Sequence, residues 1–185
     1  TPIWTGECRR MATPLTTISW TFCDGAHLPV LALTARGAVL ILAIDSSTSA
    51  GSAALVRDCH IESERFFDSG RQHSRRLMVE VDELMGRSQL QPSDVDAVAV
   101  TIGPGSYTGL RIGLSAAKGI CLASGASLIT VSTLETVAAG LPFCAAPVCV
   151  VLEARRDEVY AGLYDTSSGR PRLYGEYRLG LAAVV

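Results

Sequence analysis

The segment Gly103-Pro104-Gly105-Ser106-Tyr107-Thr108-Gly109-Leu110-Arg111-Ile112-Gly113 is the part of this chain best equipped for chemistry. It joins an apolar run to a helix. Ser106 stands where that helix would begin, so free backbone N–H groups and the positive end of a helix dipole meet in one loop. Such a loop suits a phosphate or a nucleotide. It suits a tight strand-to-helix connection equally, with Pro104 fixing one dihedral and Gly105 free to take a positive one. The spacing matches neither G-x-x-x-x-G-K-[ST] nor G-x-G-x-x-G, and both readings stay open. Asp45 closes an apolar run ahead of Ser46-Ser47-Thr48-Ser49. From there an acid would meet a metal-bound phosphate, or else form a turn with the hydroxyls that follow. Glu153 ends a later apolar run in the same way; the two acids would share Mg²⁺ only if their lobes faced each other.

The remaining reactive side chains exclude more than they suggest. His27, His60 and His73 make no H-x-x-x-H or H-E-x-x-H pair, which rules out a histidine metal site on one helix. There is no G-x-S-x-G elbow for a serine nucleophile, and the neighbours Cys59 and His60 are expected on opposite faces of a strand. The six cysteines contain no C-x-x-C pair, and several lie in apolar stretches, as expected of buried thiols in a reducing compartment. No catalytic residue and no metal ligand is assigned.

The helix after the glycine loop is short of bulk. Gly109, Gly113, Ala116, Ala117 and Gly119 let another body approach closely, either a second helix or the protein's own sheet. Gly costs roughly 1 kcal/mol against Ala inside a helix, so three of them imply a packing constraint.

Periodicity supplies the elements that hold these residues. Unbroken or alternating apolar runs predict strands at 39–44, 52–57 and 61–67, an opening antiparallel meander. A helix is expected at 72–87, with Leu77, Met78, Val81, Leu84 and Met85 on one stripe. A strand at 96–102, a helix ending near 123 and a strand at 127–131 follow. Ser132 then caps a helix to Ala139, with Glu135 completing a capping box. Strands at 147–152, 158–164 and 172–178 repeat the opening pattern. The expected organisation is a leader of doubtful structure at 1–38, a first lobe at 39–140 and an incomplete second lobe of three strands at 141–185.

The chain has 185 residues, 48% hydrophobic and 18% charged, with a net charge of −2. That excludes a disordered tail or a coiled coil, and leaves no basic excess for independent tight binding of nucleic acid. The most apolar stretch, 28–44, is broken by Arg36 and Gly37, which argues against a membrane span and for a cytoplasmic protein.

In order along 39–164, the runs ILAIDSSTSAGSAAL, RQHSRRL, AVTIGPGSYTGLRIGLSAAKGI, VSTLETVA and ARRDEVYAGLYD resemble the TsaB family. These are dimerization subunits of the bacterial complex that makes threonylcarbamoyladenosine in tRNA. The resemblance implies an α/β fold: an RNase H-like βββαβα lobe of the actin/sugar-kinase/Hsp70 ATPase type, with a second, truncated lobe of similar topology. It implies a non-catalytic subunit supporting a TsaD-type threonylcarbamoyltransferase that modifies N6 of the adenosine next to the anticodon. A TsaE-type ATPase would join them, tRNA would be reached only through the complex, and a homodimer is a further form of the same contact. No cofactor of its own is implied, although ATP or ADP with Mg²⁺ could sit where the subunits meet. The alternative is a stand-alone nucleotide-dependent phosphotransferase or glycoprotease-like peptidase. Glu153 stands where the family usually has Asp.

Residue pattern and resemblance together put Leu77, Val81, Leu84, Gly109, Gly113, Ala116 and Ala117 on the partner surface. Asp45, Gly103, Pro104, Gly105 and Ser106 are expected as a structural loop. On this expectation, Leu at Gly113 or Ala117 would abolish pairing and leave the monomer folded.

Overall fold

A computed structural model describes residues 38–68, 73–155 and 157–180. The expected leader, apart from Ala38, lies outside the described residues, and so do His27, Cys8 and Cys23. Strands β1 (Leu40–Asp45), β2 (Ala50–Arg57), β3 (His60–Asp68), β4 (Ala97–Thr101) and β5 (Ser127–Val131) form one sheet in the order β3-β2-β1-β4-β5. The first three are antiparallel, while β4 runs parallel to both β1 and β5. β1 is apolar without alternation because both its faces are buried, the mark of a central strand. β3 alternates because it is an edge.

The β2–β3 hairpin turns on Asp58 and Cys59, whose φ values of 46° and 68° are those of a two-residue I′ turn. Asp58 fastens this turn to the start of β1: its Oδ1 accepts from the Val39 N–H at 2.9 Å, and its own N–H donates to the Val39 carbonyl at 3.2 Å. Cys59 is therefore a turn residue, not a strand residue facing away from His60, because the reversal needs two residues there.

Helices α1 (His73–Arg87) and α2 (Tyr107–Ser124) cover one face of the sheet. Leu77, Val81, Leu84 and Met85 of α1 pack with Leu42, Ile44, Leu55 and Val100. Met78 leaves the stripe that spacing suggested and is 44% exposed. Arg65 of β3 holds α1 against the edge strand, through Glu80 at 3.1 Å and Glu83 at 2.7 Å. A one-turn 3-10 helix at Pro92–Asp94, which periodicity does not reveal, leads into β4. Leu84→Ala would leave a void in the middle of this layer, and urea denaturation should show a loss of about 2–5 kcal/mol.

Strands β6 (Val148–Glu153), β7 (Glu158–Asp165) and β8 (Arg172–Gly180) form a second, antiparallel sheet. The short helix α3 (Thr133–Ala139) packs on it: Leu134 and Ala138 meet Val148, Val150 and Tyr164. The other face of β6 and β7 leaves Cys149, Val151 and Leu163 exposed.

Candidate functional site: the glycine loop and the helix pair

The glycine loop is fastened to the turn after β1. Gly103 takes φ +117° ahead of a cis peptide bond to Pro104. A Cβ at Gly105 would stand 2.4 Å from the Ser47 carbonyl oxygen, so only glycine fits this approach. The Ser106 N–H donates to that carbonyl at 2.6 Å, and the Ser106 hydroxyl accepts from the Gly109 N–H at 3.2 Å, capping α2. Two of the donors at this helix start, the Ser106 and Gly109 N–H groups, are thus committed within the chain, which favours the tight-connection reading. Asp45 is 1% exposed; its Oδ1 accepts from the Thr101 hydroxyl at 2.5 Å and the Ser47 N–H at 3.0 Å. Its carboxylate is a brace for the turn. Glu153 is exposed on β6, and among the described residues no cluster of three His, Cys, Asp or Glu could hold a metal ion.

The small residues of α2 divide between two faces. Gly109, Gly113 and Ala117 are buried against the protein's own sheet. A Cβ at Gly109 would lie 2.0 Å from the Ser46 carbonyl oxygen, and one at Gly113 would lie 2.3 Å from Ser46 Oγ. That hydroxyl donates to the Gly109 carbonyl at 2.8 Å. The partner surface expected at Leu77, Val81, Leu84, Gly109, Gly113 and Ala117 is thus corrected: all six are interior. Adjacent residues point about 100° apart around a helix, so Ala116 and Ala117 cannot share a face. Residues spaced by four from Gly109 form the inward row.

Ala116 is half-buried at the edge of the core. It lines a groove of about 490 Å³ between the two helices, with Met78, Thr108, Arg111, Ile112 and Ser115. Val79 (47% exposed) and Leu122 (89% exposed) extend this outer face, and a Cβ at Gly119 would touch nothing within 4 Å. The Arg111 guanidinium lies 5.3 Å from the Tyr107 ring centroid at the start of α2. The sequence reading puts Met78 on the buried stripe and does not single out Val79, Arg111 or Leu122 as surface positions; an exposed position on a helix otherwise apolar on its buried side is the available signal. Cys59, Cys121, Cys144 and Cys149 are free thiols, of which Cys59 and Cys149 are exposed, and burial pushes the Cys121 thiol up. No helix of the described residues is long and apolar enough to cross a membrane.

Sheet order, crossovers and helix placement define an RNase H-like βββαβα lobe, followed by a three-stranded sheet that repeats its opening. The family model described as TsaD, tRNA N6-adenosine threonylcarbamoyltransferase, matches residues 68–176. The chain is 36% identical over 129 residues to the tRNA threonylcarbamoyladenosine biosynthesis protein TsaB of Bacillus subtilis, covering 70% of this chain and 56% of that one. Against the protein of the same name from Escherichia coli, identity is 38% over 126 residues, covering 67% and 54%. The solved structure of YeaZ from Pseudomonas aeruginosa superposes with a TM-score of 0.70 at 32% identity, over 77% of this chain and 68% of that one. The chain belongs to this family, on its TsaB branch. It spans about half the length of the curated relatives it matches.

Proposed function

We propose that this chain is a non-catalytic, cytoplasmic subunit in the synthesis of N6-threonylcarbamoyladenosine in tRNA, and that it supports a TsaD-type threonylcarbamoyltransferase. The observation that carries the reading is the outer face of the α1–α2 pair, where Met78, Val79, Ala116 and Leu122 offer apolar and small side chains to a second helix pair. The committed Asp45 carboxylate supports a role without catalysis. The partner is a TsaD-type paralogue, with a TsaE-type ATPase joining the pair and tRNA reached only through the complex. A second copy of this chain would compete for the same face. ATP or ADP with Mg²⁺ would sit at the subunit contact.

The experiment is reconstitution. Threonylcarbamoyl transfer to tRNA is measured with the TsaD-type protein alone, with this chain alone and with both. Modification only in the mixture is expected. Full activity of the paralogue by itself would overturn the proposal, and ATP or peptide turnover by this chain alone would favour the enzymatic alternative.

A further inference from the structure

The side of α2 opposite its inward row carries a second regular spacing. Thr108, Arg111, Ser115, Lys118 and Leu122 follow one another at alternating steps of three and four, and all five are exposed. Steps of that kind keep side chains in one line along a helix, the seam on which a second helix packs. The line is about 21 Å long, nearly four turns. Its charge has one sign. No Asp or Glu occurs in α2, and its two charged side chains, Arg111 and Lys118, both stand on this line about 10 Å apart.

Neither cation is used by the chain itself. Among the described residues, ion pairs join Arg57 to Glu62, Arg65 to Glu80 and Glu83, and Arg76 to Glu80. The Arg111 guanidinium lies over the Tyr107 ring one turn earlier, a contact that steadies it at the groove and leaves it able to donate to a carboxylate. Met78, Ile112 and Ala116 supply apolar surface beside the line. An occupant that matched only this apolar part would strip water from two cations and put nothing in its place.

We propose that the line selects its partner by charge: the helix that seats on α2 carries carboxylates about two turns apart, opposite Arg111 and Lys118, with an apolar side chain against Leu122. This partner chemistry deepens, and depends on, docking at the α1–α2 face. A second copy of the chain fits less well. Its α2 brings the same two cations, and its α1 sets against them the exposed Asp82, since Glu80 and Glu83 are held by Arg65. Exposed ion pairs add little to affinity; they act on the rate of encounter and on which partner is refused.

The test follows association of the full chain with the TsaD-type paralogue by stopped flow at about 50 and about 500 mM NaCl. Wild type should associate about tenfold more slowly at the higher salt. Arg111→Glu/Lys118→Glu should associate about tenfold more slowly than wild type at the lower salt, and no longer slow as salt rises. Both side chains are exposed, so its melting curve should match that of wild type. A folded double variant with the rate and salt dependence of wild type would overturn the proposal. Met78→Asp/Leu122→Asp separates the two readings. Lost binding there, beside an unaffected charge reversal, removes the acidic partner helix and keeps the docking face; unchanged binding in both variants removes both. Self-association of wild type without binding to the paralogue would assign the line to a second copy, and so overturn the proposal as well.

Discussion

Gly109→Ala is expected to cost about 3 kcal/mol or more, a large share of the 5–15 kcal/mol typical of a domain. The added methyl would sit 2.0 Å from the Ser46 carbonyl oxygen, a backbone atom in the turn after β1 that cannot swing aside. Relief would need α2 to lift off the sheet, parting the bond from Ser46 Oγ to the Gly109 carbonyl and exposing Ala117. Gly119→Ala is the internal control. Its methyl meets nothing within 4 Å, and removing a mid-helix glycine should stabilise by up to about 1 kcal/mol. Urea denaturation of the two variants beside wild type gives opposite signs if α2 is seated as described; equal midpoints would disprove the seating. Leu at Gly113 or Ala117 belongs with Gly109→Ala, because it would unfold the protein rather than report on pairing.

Pairing is tested from the outer face. A Met78→Asp/Leu122→Asp double variant should weaken association with a TsaD-type partner by about thirtyfold or more, as loss of contact residues at the heart of an interface does. Both side chains are substantially exposed, so unfolding should change by less than about 1 kcal/mol. Isothermal titration against the paralogue, with the melting curve as a check on folding, separates the two effects. Undiminished binding by a folded double variant would remove the α1–α2 face as the docking surface.

Much of the scaffold was legible because periodicity reports burial directly. Strand 127–131 was read to the residue, β1 stood out as a strand apolar on both faces, and Ser106 and Ser132 marked helix starts with their hydroxyls. The glycine loop was also legible as a loop. Its chemistry was not, because the hydrogen bonds that occupy Ser106 and Asp45 come from Ser47 and Thr101, and Thr101 lies 56 residues beyond Asp45. The division of α2 into an inward and an outward row lies in the spacing by four of Gly109, Gly113 and Ala117, which the mere abundance of small residues on the helix does not reveal. The hydrogen bond from Ser132 to Glu176 joins residues 44 apart through side chains, and no local pattern announces such a pair. The I′ turn at Asp58-Cys59 lacks the glycine that usually flags one.

The notch that Ser46 fills under Gly109 and Gly113 has a kinetic consequence. A helix keyed to its sheet by a backbone oxygen and a hydroxyl cannot roll about its axis, so its outer side chains are displayed at a preset angle. An incoming subunit then spends little orientational entropy on aligning them, and capture should proceed in a single fast phase without a slow adjustment afterwards.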